Sequence, residues 1–465
     1  MSKMTESLST MEKALEVNLD NRIYGTFAEI GAGQEVVRWF FQAGGSAGTI
    51  AKSISAYDMV VSDSIYGKCQ RYVGQQRLQD MLDYEYDLNI KRLEYGRGDS
   101  TCFFSFADTV SARNFSGTNK CHGWLGVKFQ SRPGDDFSQI IIHVNLKDKT
   151  NSLQQEALGI VGVNLIHSAF NLAHRPENLL ESLLDNLSRD RIEIDMVEFK
   201  GIEFRRVDNR LMLLNLVKLG LSDAAMFGPD KSVLLPSSVF YKKSVIVERG
   251  SFRPVCNVNI DIMETALEQF SEEIGVGTEE IVPIMEITMN NLMQGSGSID
   301  LHDFLARADM LAASGYKVLI SNYKEYYRLG HYLRMNTNRP VAVAMGAASL
   351  MELFNVEYYN DLEGGILEAM GRLFKNQVGL YVYPWQYKDE LITVENFKVD
   401  SDLQMLFDFV KVHGKVKDIK NYNPEYLSVY SRKVLKKIAD GKPGWEKDVP
   451  EAVAEVIKER KYFIK

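Results

Sequence analysis

The stretch Lys242-Lys-Ser-Val-Ile-Val-Glu-Arg-Gly-Ser-Phe-Arg-Pro-Val-Cys-Asn-Val-Asn259 decides the fold. Val245 to Val247 is an apolar run that reads as a buried strand. The run ends on Glu248, Arg249, Gly250, Ser251 and Arg253, and Pro254 then stops ladder pairing. From Asp261 the apolar residues recur at helical spacing. Strand, charged turn, helix is the order in which α/β proteins place ligand sites, at the carboxyl ends of the strands. Two arginines at such an edge point to an anion site.

From Gln139 onward the same alternation repeats. Strand-like runs fall near 140–146, 192–199, 223–227, 244–248, 281–288, 317–321, 341–345 and 378–383. Helical patterns separate most of them, at 153–173, 177–187, 209–219, 259–274, 300–314, 324–335 and 348–374. This predicts an α/β fold with a mainly parallel sheet. A count of about eight strands suits a (β/α)8-like barrel, and an open doubly wound sheet fits the same pattern. Residues 389–465 change character, with lysine clusters around 411–420 and 432–437, and read as a helical appendage. The expected organisation is a mixed helical and loop region at 1–135, a central α/β domain at 136–388 and the appendage at 389–465.

Towards the N-terminus, Tyr24 to Gly33 is a glycine-rich turn feeding a helix that carries Val36, Val37, Phe40 and Phe41. Gly31 and Gly33 are therefore cofactor-binding candidates, since a helix N-terminus presents free N–H groups to phosphate. The match is partial: a dinucleotide fingerprint wants glycine where Val36 stands, and no Gly-Lys-Ser/Thr follows. Residues 108–132 read as a polar loop. Arg113, Asn114, Asn119, His122, Gln130 and Arg132 are interspersed with Gly117, Gly123 and Gly126, a composition that suits ligand contact. The loop and the Gly31–Gly33 turn are expected to cover the same strand ends as the central site.

Composition narrows the class. Of 465 residues, 45% are hydrophobic and 25% charged, as in folded globular chains, and the formal charge of -8 argues against a nucleic-acid or anionic-membrane partner. The four cysteines, Cys69, Cys102, Cys121 and Cys256, form no Cys-x-x-Cys pair, which fits reduced thiols. Met1 to Leu19 lacks the basic start and apolar core of an export signal, and no apolar run approaches the roughly 20 residues of a membrane span, so a cytoplasmic location is expected. Neither His-x-His nor His-Glu-x-x-His occurs among the seven histidines, so no metal site is assigned. Gly295-Ser-Gly-Ser298 falls short of a nucleophile elbow because Ile299 replaces the last glycine; it reads as a link before an Asp300 helix cap.

The candidate site is assembled at the strand ends. Arg249 and Arg253 are the anion clamp, with the planar donor geometry of guanidinium. Glu286, at the end of the 281–288 run, is a general-base candidate, and His122 is the second acid–base candidate. Asn290, Asn322, Arg113 and Asn114 complete the substrate-binding set.

The segments Phe27-Ala-Glu-Ile-Gly-Ala-Gly-Gln-Glu35, Arg113-Asn-Phe to His122-Gly-Trp124, Asp208-Asn-Arg-Leu211 and Arg249-Gly-Ser-Phe-Arg-Pro254 carry a resemblance. They resemble a widespread, uncharacterised bacterial family whose members look like those labelled nicotinate-nucleotide adenylyltransferase or TonB-dependent receptor. The likeness runs from about 24 to 388. The receptor label implies an exported barrel with alternating strands, and those signals are missing. The adenylyltransferase label implies a His/Thr-x-Gly-His motif early in the chain. The nearest match here, Arg328-Leu-Gly-His331, has arginine first, comes late and looks helical. The expected function is a metabolic enzyme acting on a phosphorylated or carboxylated small molecule. A nucleotidyltransferase of NAD metabolism, using magnesium with a nucleotide, and a non-catalytic binding or assembly protein are the alternatives. The C-terminal appendage is the expected homo-oligomer surface.

Overall fold

The computed structural model describes residues 8–31, 33–293, 297–375 and 377–464. Ala32, Gly295 and Ser296, parts of two of the motifs above, lie outside the described residues. The chain divides into two compact units, Met1–Ser222 and Asp223–Lys465.

The first unit holds a six-stranded sheet: β1 (Ile23–Gly31), β2 (Ile50–Ile54), β3 (Cys102–Ser111), β4 (His122–Phe129), β5 (Ser138–Leu146) and β6 (Ile192–Gly201), in the order β2-β1-β3-β4-β5-β6. The β2-β1-β3 part is parallel and the β3-β4-β5-β6 part antiparallel. Helix α1 (Thr10–Leu19) opens on a Ser9 capping box. It packs with α2 (Val36–Ala43) and α4 (Asn151–Asn171), while α3 (Gln75–Arg97) lies along β1, β3 and β4. Every residue of α4 from Ala157 to Ala169 is buried, which is why its sequence is apolar on all sides. Phe27, Phe40, Phe104 and Phe106 form the aromatic centre of this core, with ring centroids 5.1–5.9 Å from Phe27.

Two strands here were read as loop. Tyr24 to Gly31 belongs to β1 and His122 to Phe129 is β4, the latter with Leu125, Val127 and Phe129 fully buried. The glycines that suggested ligand approach serve packing instead. A Cβ on Gly126 would stand 2.7 Å from Leu82 Cδ1, and one on Gly25 2.2 Å from the Phe104 carbonyl oxygen.

The second unit holds an eight-stranded sheet: β7 (Ala224–Phe227), β8 (Val233–Leu234), β9 (Ser244–Arg249), β10 (Ile281–Thr288), β11 (Lys317–Ser321), β12 (Val341–Gly346), β13 (Val378–Tyr383) and, past the hairpin β14 (Trp385–Tyr387) and β15 (Glu390–Ile392), β16 (Val416–Asp418). The order is β16-β13-β12-β9-β10-β11-β7-β8. All pairings from β16 to β11 are parallel, and β7 and β8 add an antiparallel edge. The sheet is open, so the barrel alternative is corrected. Two of the eight runs counted towards it, 140–146 and 192–199, are the antiparallel β5 and β6 of the first unit, and a third, β7, is antiparallel to its neighbour.

Successive strands β9, β10, β11 step one way from β9, and β12, β13, β16 step the other way from β12. This is a doubly wound sheet whose order reverses between β9 and β12. Val245, Ile246 and Val247 are fully buried, as a central parallel strand covered on both faces requires. Helix α5 (Asn257–Ile274) begins four residues before Asp261, because Asn259 and Cys256 form a reciprocal cap, and it ends on Gly275 in the left-handed region at φ 68°. The remaining helices used below are α6 (Leu301–Ala313), capped by Asp300, α7 (Tyr326–Asn336), α8 (Ala347–Leu353), α9 (Gly365–Lys375) and α10 (Glu451–Arg460). The C-terminal segment is integral to this unit: β16 pairs with β13, α10 packs on α6, and Tyr462 donates to Asp309 at 2.7 Å.

Candidate functional site

Period-two alternation in a strand sends neighbouring side chains to opposite faces. In β9, Glu248 therefore faces α5 while Arg249 faces the opposite layer. Asn259 of α5 donates to Glu248 Oε1 at 2.8 Å, and Oε2 is buried without a partner. Burial raises the Glu248 carboxyl to about pH 8, against the opposing effect of the Asn259 bond.

Arg249 Nε and Nη2 grip the two oxygens of Glu286 at 2.8 and 3.0 Å, and Nη1 donates to the Lys324 carbonyl at 2.8 Å. The guanidinium lies over the Tyr326 ring at 4.5 Å. Ser321 adds a 2.5 Å hydrogen bond to Glu286 Oε1. Adjacent parallel strands in register make this pairing unavoidable, since Arg249 and Glu286 are register partners. Glu286 is fully buried with both oxygens engaged, which leaves it no open face towards a substrate. Among the described residues, one N–H on each terminal nitrogen of Arg249 has no acceptor.

Arg249 lines a small cleft of about 70 Å³, partly open to solvent, with Thr288, Asn290 and Asn291 from the end of β10, Lys324, Glu325 and Tyr326 from the start of α7, and Glu352, Leu353, Tyr358 and Tyr359 from α8 and beyond. Asn291 donates to the Gly250 carbonyl at 3.2 Å. Glu325 is held by Arg328 at 3.1 Å. Lys324 is exposed, forms no ion pair among the described residues, and stands 4.9 Å over the Tyr358 ring. Asn290 is exposed at the rim. Arg253 does not join Arg249 in a clamp: Asp303 of α6 takes its Nε at 2.5 Å and also accepts from Arg307 at 2.7 Å. Asn322 is exposed, donates its backbone N–H to Asp223, and is not part of the cleft lining. His331 lies on the exposed side of α7.

The remaining candidates belong to the first unit. The N-terminus of α2, the expected phosphate cradle of Gly31 and Gly33, is already occupied by a side chain of its own, the Glu29 carboxyl. Glu29 accepts from Val36 N at 2.9 Å and Val37 N at 3.3 Å. Beside it, in register on β3, stands Asp108, fully buried. A Cβ on Gly33 would lie 1.9 Å from Asp108 Oδ1, so the turn closes directly onto the carboxyl. Burial raises Glu29 to about pH 8, and burial together with the Glu29 charge raises Asp108 well above the usual carboxylate range.

In the 112–121 loop the amides hold one another. Asn114 Oδ1 accepts from Thr118 N at 3.0 Å, and Asn119 donates to the Ala112 carbonyl at 2.7 Å. Arg113 is exposed, and its backbone N–H is tied to Gln154 at 2.9 Å. His122, half-buried at the start of β4, meets two residues that sequence reasoning missed. Its Nδ1 lies 3.0 Å from His143 Nε2, and His143 Nδ1 lies 2.5 Å from Asp195 Oδ1. Asn145 donates to Asp195 Oδ2 at 2.8 Å. A bulge in the β5–β6 pairing at His143/Val144 brings Asp195 beside His143, so only strand register, absent from composition or motif, reveals the contact.

Among the described residues no group of three or more His, Cys, Asp or Glu is placed to hold a metal ion, and no helix is long and apolar enough to cross a membrane. No protein-family model matches the chain, and no curated protein matches it, so neither label attached to the resembling family gains support. Solved structures of competence-damage proteins overlap part of it. The competence/damage inducible protein CihA from Agrobacterium tumefaciens aligns at 15% identity over 36% of this chain and 99% of its own, with a TM-score of 0.26. A CinA superfamily protein from Enterobacter cloacae aligns at 13% identity over 37% of this chain and 98% of its own, with a TM-score of 0.27. Likeness at that level is too slight to carry fold or function across.

Proposed function

We propose that this chain is an enzyme whose second unit holds a phosphorylated or carboxylated small molecule in the cleft at the carboxyl ends of β9 and β10. The observation that supports this reading is a coincidence of place. The polar cleft sits beside the reversal in strand order, where open α/β sheets leave a crevice for ligands. Lys324 is the exposed cation on the lining of this cleft, and Arg249 lines it as well. Tyr326, Tyr358 and Tyr359 give aromatic walls. Glu325 and Glu352 are acceptors, suited to sugar hydroxyls and unfavourable to a ligand that is anionic throughout. A nucleotide or sugar phosphate fits this mixture better than a small dicarboxylate.

Four unpaired thiols support residence in a reducing compartment. Met405, Phe409 and Val412, an exposed apolar stripe on the helix Gln404–Val412, support self-association through the C-terminal segment; light scattering that finds only monomer would remove that expectation.

The experiment is calorimetric titration with nucleotides, sugar phosphates and dicarboxylates, on wild type and Lys324→Ala. Binding by a phosphorylated ligand, weakened about 10- to 100-fold in the variant, is the expected result, since a charge-assisted hydrogen bond contributes about 1.5–3 kcal/mol. Equal affinity in the variant, or no ligand in any class, contradicts the proposal.

A further inference from the structure

We infer that the first unit carries a separate acid–base site, a relay Asp195–His143–His122 that leaves Nε2 of His122 as a general base towards a water or hydroxyl of an anionic small molecule. The hydrogen-bond directions follow from the donors and acceptors present. Asp195 has only acceptors to offer while ionised, so the 2.5 Å contact requires a proton on His143 Nδ1. The relay takes His143 Nε2 as the acceptor, which places the proton on His122 Nδ1 across the 3.0 Å contact. The lone pair of His122 is thereby fixed at Nε2, which has no partner among the described residues. Proton transfer balances along the chain. Nε2 takes the proton of the bound O–H, the Nδ1 proton of His122 passes to His143 Nε2, and the positive charge settles on His143 against Asp195. The proton returns to the oxygen by the same path.

The supporting frame is rigid. Trp124 packs edge-on to His143 at 4.8 Å between ring centroids, and Asn145 holds the outer oxygen of Asp195. Burial first, then His143, Lys120 and Arg71, lower His122 to about pH 4 against the opposing effect of Asp195, so it stands neutral at physiological pH. Lys120 and Arg71 make the surroundings of His122 electropositive, which favours an anion there.

The test is the tautomeric state of both rings by long-range proton–nitrogen NMR on the full chain. Wild type should show His122 and His143 each protonated at Nδ1 at neutral pH. In Asp195→Asn, Asn145 still needs an acceptor, which turns the new amide nitrogen towards His143 Nδ1. Both rings should then reverse and carry their protons on Nε2. Inorganic phosphate should shift the His122 signals in wild type. A proton on Nε2 of His122 in wild type, tautomers unmoved by the substitution, or His122 signals unmoved by phosphate would each overturn the inference. Should Asp195→Asn fail to fold, the wild-type tautomers and the phosphate titration still decide it.

Discussion

The two units solve one problem in opposite ways: how to carry carboxyl groups at the ends of parallel strands. In the second unit Glu286 is neutralised by a partner, with Arg249 on both oxygens and Ser321 behind. In the first unit Glu29 and Asp108 stand on paired strands with no cation in contact among the described residues, and burial drives them to hold protons instead. The first solution fixes a buried charge pair whose arginine lines the cleft. The second makes the sheet edge sensitive to pH. A glutamate at the end of an apolar run looks the same in sequence in both cases; what differs is the residue that register places beside it.

The largest effect should come from breaking the neutralised pair. Arg249→Met strands a buried carboxylate and should destabilise the second unit by about 3–5 kcal/mol, read as faster amide exchange in β9 and β10. Adding Glu286→Leu should recover most of that loss, since a buried ion pair replaced by apolar groups is often near neutral. Failure of the double variant to recover would mean that the pair is needed for more than mutual neutralisation.

The proton-held pair predicts a pH dependence of definite sign. Glu29 binds a proton in the folded chain up to about pH 8, and unfolded glutamate releases it near 4.5. Between those limits the native state holds more protons than the unfolded state, so the stability of the first unit should fall as pH rises. The slope should approach about 1.4 kcal/mol per pH unit for one proton. Glu29→Gln should flatten this slope and raise stability at pH 8, measured by urea unfolding at several pH values. Glu286→Gln should do neither. A wild-type slope of the opposite sign would remove the contrast between the units.

Backbone closeness gives a smaller difference. Gly33→Ala drives a methyl into Asp108 and should destabilise the first unit by about 1–3 kcal/mol. Gly346, at the matching strand end of the second unit, has φ -76° and nothing within 4 Å of a Cβ. Gly346→Ala should change the melting free energy by no more than about 0.5 kcal/mol.

Apolar runs placed the strands well, because burial on both faces leaves an uninterrupted signal in Val245–Val247 or Val341–Met345. They could not say which sheet a run joins, and so 140–146 and 192–199 inflated the count towards a barrel. Glycines hid β1 and β4, since close packing against Phe104 or Leu82 and approach to a ligand demand the same residue. Arg249 was legible as a strand-end cation, but its bond to Glu286 depends on register. Lys324 was within reach, as it follows the 317–321 run at the carboxyl edge. Asp195 was not, because a single bulge decides its neighbour.

The central claim, that ligand binding belongs to the cleft beside the strand reversal, is tested most directly by hydrogen exchange with and without a nucleotide or sugar phosphate that calorimetry shows to bind. Slowed exchange is expected at 286–291, 322–327 and 350–360. Protection confined to the first unit, with those three segments unchanged, would contradict it.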